Sequence, residues 1–134
     1  MIGILILTHG ALGEALLRSA GHVLGSRPVY AETIEIVAGE SPETILEHAR
    51  QALAKVDQGH GVLVLTDIFG ATPANTALKL LLDGEVEGIS GVNLPMLLRA
   101  LTHRAEPLAD VVEKSRAGAV EGIVHMNRDL CRNC

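Results

Sequence analysis

Two residues far apart in the chain have types and settings suited to the same chemistry. His9 follows an apolar run, Ile2-Gly3-Ile4-Leu5-Ile6-Leu7-Thr8, and precedes Gly10 and a helical stretch. An imidazole has two distinct nitrogens. If one donates its proton to a carboxylate, the other is left as a nucleophile of fixed direction. Asp67 closes a second apolar run, Gly61-Val62-Leu63-Val64-Leu65-Thr66, and offers such a carboxylate. Thr72-Pro73 marks a helix start, with Thr72 expected as its cap. A hydroxyl and free N–H groups there suit phosphate oxygens, as does the helix start behind His9. The set describes a histidine that accepts a phosphoryl group and passes it on. A lone histidine in this place would more often only cap a helix; Asp67 and Thr72 on the same rim favour the phosphoryl reading.

The elements that must position these residues alternate between β-like and helical patterns. Strands are expected at Ile2–Leu7, Thr33–Val37, Gly61–Thr66 and Gly88–Val92, with a last short one at Gly122–Met126. The first is continuously apolar, as in a strand covered on both faces. Leu12, Leu16, Ala20 and Val23 recur at helical spacing up to Gly25. Ser41-Pro42-Glu43 gives a cap, a proline in the first turn and an acid, ahead of Ile45, Leu46, Ala49, Leu53 and Val56. Thr72-Pro73 opens a helix through Leu78, Leu81 and Leu82. Pro95 opens one through Met96, Leu97, Ala100 and Leu101, and Pro107 one with Leu108, Val111 and Val112 inward. Such alternation implies an α/β fold, an open, mostly parallel sheet with helices on both faces. Ligands bind outside the carboxyl ends of such strands. Those ends carry His9, Asp67 and Asn93, each beside glycines that let a ligand approach closely.

Composition excludes other classes. The 134 residues suit one domain over 1–134, with about 127–134 as a flexible tail. At 48% apolar and 20% charged the chain is too hydrophobic for disorder. A net charge of −5, with Tyr30 and Phe69 the only aromatics, argues against nucleic-acid binding. No apolar run suffices to insert into a membrane and no signal peptide is visible, so a cytoplasmic protein is expected. Nucleotide-binding glycine loops are absent, so no cofactor is expected.

The residues also resemble a known family. Gly3-Ile4-Leu5-Ile6-Leu7-Thr8-His9-Gly10 resembles the amino terminus of the mannose-type IIA component of the bacterial sugar phosphotransferase system. Thr66-Asp67-Ile68-Phe69-Gly70-Ala71-Thr72-Pro73-Ala74-Asn75 and Gly91-Val92-Asn93-Leu94-Pro95-Met96-Leu97 are similar to its second and third motifs, in order, over residues 1–126. The resemblance implies a flavodoxin-like sheet. It implies phosphorylation of His9 at Nε2 by the phosphocarrier HPr, with transfer to a IIB component or use as a regulatory signal. His9 and Asp67 would form the catalytic pair, Asp67 orienting the ring through Nδ1. Gly10, Phe69, Gly70, Ala71 and Thr72 would surround the phosphoryl group. The resemblance further implies a homodimer that exchanges a carboxy-terminal strand, for which Gly122–Met126 is the candidate.

Other residues have plainer readings. Asn93 and Arg99 are candidate partner contacts, although Asn93 also suits loop shaping and Arg99 a solvated surface. Cys131 and Cys134 with His125 would offer three zinc ligands, but two cysteines on a tail usually have no defined role, and no metal is expected. His22 and His48 fall in helices, His60 in a loop and His103 at a helix end. Alternatives are the phosphotransfer subunit of a dihydroxyacetone kinase and a non-transport regulatory module of the same fold. A phosphohistidine hydrolase of the Arg-His-Gly type fits poorly, because Thr8 stands where arginine would be.

Overall fold

A computed structural model describes residues 1–130. Strand β1 (Gly3–His9) leads to helix α1 (Leu12–Leu24), β2 (Ala31–Ile36), α2 (Pro42–Val56), β3 (Val62–Thr66), α3 (Thr72–Leu78), β4 (Val86–Ser90), α4 (Leu94–Thr102) and α5 (Leu108–Glu121). The strands form one parallel sheet in the order β2-β1-β3-β4. Among the described residues this is the flavodoxin-like order without a fifth strand. The direction of winding reverses between β1 and β3, which opens a crevice at their carboxyl ends.

Strand alternation divides the core into two layers. Ile2, Ile4, Ile6, Leu63 and Leu65 pack on one face with Leu17 of α1, Met96 and Leu97 of α4 and Val111 of α5. Leu5, Leu7, Val62 and Val64 pack on the other with Ile45, Ala49 and Val56 of α2 and Ala77 beyond them on α3. Both central strands are therefore apolar throughout, and their first polar groups come at the carboxyl ends. At the opposite end of the sheet the buried Arg104 donates to three carbonyls: Ile2 O at 2.8 Å, Val29 O at 2.6 Å and Tyr30 O at 2.7 Å. It ties α4 to the start of β1 and the approach to β2.

Helix α1 is fastened to the site end of β1 in an unusual way. Its N-cap, Ala11, has no side-chain oxygen to offer. The buried Thr8 hydroxyl on β1 instead accepts the Gly13 N–H at 2.8 Å. A Cβ on Gly13 would come within 3.1 Å of Ile6 Cγ2 and 3.2 Å of Thr8 Oγ1, so helix and strand approach closely. Ser41 caps α2 as expected, accepting from Thr44 N.

Four expectations are corrected. Residues Gly122–Met126 form no strand: Gly122 caps α5, and Met126–Leu130 coil into one exposed π-helical turn. The segment runs straight on from α5 and pairs with neither edge strand of the sheet. Thr72 is not a cap but the first residue of α3, whose cap is Ala71. That helix stops at Leu78, which is exposed, and Leu82 bridges antiparallel to Val86 instead of continuing it. The turn into β4 intervenes, and Ala74, Ala77 and Leu80 are the residues that bury. Finally, β2 and β4 begin two residues earlier than the pattern suggested, because pairing starts at Ala31 with Ile4 and at Val86 with Val62. Cys131 and Cys134 lie outside the described residues.

Thr8→Val keeps the shape of the side chain and removes the acceptor for Gly13 N–H. We expect a loss of about 1 kcal/mol, the typical worth of a helix cap, measured as a lower urea midpoint with an unchanged slope.

Candidate functional site

The two central strands deliver their end residues to one place. His9 is the last residue of β1, and Asp67 follows the last residue of β3. Asp67 Oδ2 lies 2.8 Å from His9 Nδ1 and accepts the His9 backbone N–H at 3.0 Å. Its other oxygen, Oδ1, accepts the Ile68 N–H at 3.0 Å. The carboxylate is thus held from three directions. Because a carboxylate only accepts, Nδ1 carries the proton of this bond and the neutral ring keeps its free lone pair on Nε2. Among the described residues nothing hydrogen-bonds to Nε2.

Exposure separates the roles of the pair. The His9 side chain is 55% exposed and that of Asp67 only 11%. The ring is open to a partner, while the group that holds it is sheltered. Partial burial pushes the Asp67 carboxyl upward. The hydrogen bonds from the His9 backbone, the His9 ring and Ile68, together with the charge of His9, outweigh it and hold the carboxyl below its ordinary value.

The rim around His9 is built from backbone and small residues. Gly10 (φ +51°) and Gly70 (φ +85°) adopt left-handed conformations that favour glycine, and they turn the chain out of β1 and towards α3. Gly10 N–H is anchored on Ile36 O at 3.1 Å. Thr72 is exposed at the start of α3 and Ala71 is half-buried, while Ile68 and Phe69 are exposed at 57% and 69%. The α1 amino terminus begins three residues after His9.

Asn93 and Arg99 are engaged elsewhere. Asn93 Oδ1 accepts from Met96 N at 2.9 Å and so caps α4, while its amide donates to Ala119 O of α5 at 3.2 Å. This is the loop-shaping role, and it occupies both ends of the amide. Arg99 donates to Glu121 Oε2 at 2.8 Å, and a Cβ on Gly118 would come within 2.9 Å of its own Cβ. Neither side chain hydrogen-bonds to His9 or Asp67. The remaining histidines lie apart: His60 Nδ1 is 3.2 Å from the amino terminus, and His103 Nδ1 is 2.9 Å from Arg99 O. Sequence reasoning missed the backbone half of the site, namely the His9 and Ile68 N–H groups on Asp67 and the hold of Thr8 on α1. The threonine next to the histidine was the one available signal.

The depressed carboxyl has a consequence for stability. A carboxyl lowered in the folded state contributes stability that is present above its ordinary value of 3.8 and is lost as pH falls through the lower folded value. The urea midpoint of the protein should therefore fall as pH drops below 3.8. In Asp67→Asn that fall should be smaller.

Comparison with known proteins meets this geometry. Residues 3–115 match the family model of the PTS system fructose IIA component. The chain is 40% identical over 124 residues to the PTS system mannose-specific EIIAB component of Escherichia coli K12, covering 87% of this chain and 38% of that protein. It therefore spans well under half the length of that relative. It is 35% identical over 119 residues to the PTS system fructose-specific EIIA component of Bacillus subtilis, covering 87% of this chain and 81% of that protein. The fold superposes on the crystal structure of the phosphotransferase system component EIIA from Streptococcus agalactiae with a TM-score of 0.83, at 31% identity, over 95% of this chain and 98% of that one. The chain belongs to the fructose/mannose-type IIA component family of the phosphotransferase system.

Proposed function

We propose that this chain is a phosphoryl carrier whose His9 takes a phosphoryl group at Nε2 from an HPr-type histidine phosphocarrier and passes it to a IIB component. The single observation that carries this is the 2.8 Å contact between His9 Nδ1 and a sheltered Asp67, on a ring that is otherwise exposed. With the proton on Nδ1, Nε2 attacks phosphorus in line. The N–P bond to the donor histidine breaks as the N–P bond to His9 forms. The ring gains positive charge as it does so, and the Asp67 carboxylate opposes that charge through Nδ1–H. Both donor and product are phosphoramidates, so the step is nearly balanced and runs either way. The protein's task is orientation and charge compensation. Gly10 and the 69–72 segment line the approach, and the Thr72 hydroxyl and nearby N–H groups are suited to phosphoryl oxygens. Asn93 acts by shaping the loop, and Arg99 on α4 is a candidate contact for an acidic partner.

Residues 1–134 act as one carrier domain in this reading, in the cytoplasm. No helix among the described residues is long and apolar enough to cross a membrane. The chain pairs with a second copy. Val120, Ile123, Val124, Met126 and Leu130 are exposed, and β4 presents an open sheet edge. A 122–126 segment exchanged between copies would cover both kinds of surface.

Incubation with phosphoenolpyruvate, the first enzyme of the system and HPr should add one phosphate, labile in acid and stable in base. His9→Ala should take up none; label persisting in that variant would remove the assignment. Asp67→Ala should fold and transfer roughly a hundredfold more slowly, as expected for a ring freed from its orientation. An unchanged rate would end the orienting role. Sedimentation should give twice the mass of one chain, and a monomer at micromolar concentration would exclude the dimer.

A further inference from the structure

Beside the phosphoryl rim lies a cavity that the carrier chemistry does not use. It has a volume of about 200 Å³ and sits between α3 and the β3–β4 half of the sheet. Val64, Ala77 and Leu81 form apolar walls, and Phe69 contributes one side. Thr66 also lines it. Its hydroxyl is buried, the residue being 2% exposed, and it has no hydrogen-bond partner among the described residues. An unmade hydrogen bond of this kind is costly, and a ligand that supplies the partner relieves that cost. A second hydroxyl, that of Ser90, stands on the same lining, which carries no charged side chain.

From these features we propose that the cavity binds a small uncharged molecule, one apolar ring or short chain bearing a single hydrogen-bonding end, with that end on Thr66 Oγ1. The chemistry of the walls sets the class. Without a cation, phosphate has no counter-charge there. A sugar would leave most of its hydroxyls against hydrocarbon, so this is not a site for a transported carbohydrate. An apolar cavity of about 150 Å³ suffices for benzene, so one ring with a polar substituent fits the space. The site touches the carrier machinery through Phe69 and through the chain. Thr66 immediately precedes Asp67, and Phe69 lies in the segment that joins Asp67 to α3.

Phenol is the probe. Titrated into the isotope-labelled full chain, it should produce saturable amide shifts centred on Thr66, Phe69, Ala77 and Gly88. Glucose and inorganic phosphate should leave those amides unmoved. Thr66→Val preserves shape and removes the hydroxyl. It should weaken phenol roughly fivefold, the worth of one neutral hydrogen bond, and leave toluene binding unchanged. Ala77→Leu should fill the space and abolish both. His9→Ala should bind phenol as the unaltered chain does, so the cavity is tested apart from the phosphoryl reading. Absence of saturable shifts at these amides, as a side chain of a second copy filling the space would produce, overturns the proposal. Equal affinity of Thr66→Val for phenol does the same.

Discussion

One hydrogen bond, from His9 Nδ1 to Asp67 Oδ2, gives the rest of the structure its direction. A free imidazole rotates and offers either nitrogen. A ring held by a carboxylate offers one nitrogen along one line. The bond joins residues 58 positions apart, so neither partner holds it in place locally. Two adjacent parallel strands must end at the same level. The pairing of Leu7 with Thr66 sets that level and leaves His9 two residues and Asp67 one residue beyond it.

The carboxylate is as constrained as the ring. Three N–H groups converge on its two oxygens, two of them from backbone. Backbone donors cannot swing away, so Asp67 is placed by the ends of both strands at once. The same contacts lower its pKa against the opposing pull of burial. It stays charged where a ring gaining positive charge needs it most. The rim remains open above it, because the turns on either side are made by Gly10 and Gly70 and the flanking side chains point to solvent.

Elsewhere the fold spends its polar groups on holding helices to the sheet. Thr8 replaces the missing cap of α1, Asn93 caps α4 while reaching α5, and Arg104 closes the far end through three carbonyls. Both core layers are continuous hydrocarbon up to the rim. A site built on the ends of central, fully buried strands inherits their rigidity, which an orientation-dependent transfer requires.

Much of this was legible in the amino-acid order. Unbroken apolar runs ending in Thr8-His9 and Thr66-Asp67 specify buried parallel strands with polar tips. The Ser41-Pro42 and Pro95 signals place helix starts that the structure shows. Local chemistry sets such features, because caps, prolines and strand periodicity act within a few residues. Other features waited on the fold. Thr72-Pro73 carries the same letters as a cap, yet the turn before it makes Ala71 the cap. Gly122–Met126 has a strand-like composition, but it runs on from α5 and pairs with neither edge strand. Register across β1 and β3, the convergence of N–H groups on Asp67 and the orphaned hydroxyl of Thr66 are distances between remote segments. Only packing in three dimensions assigns those distances, whereas the residue types that make them useful were already present in the chain.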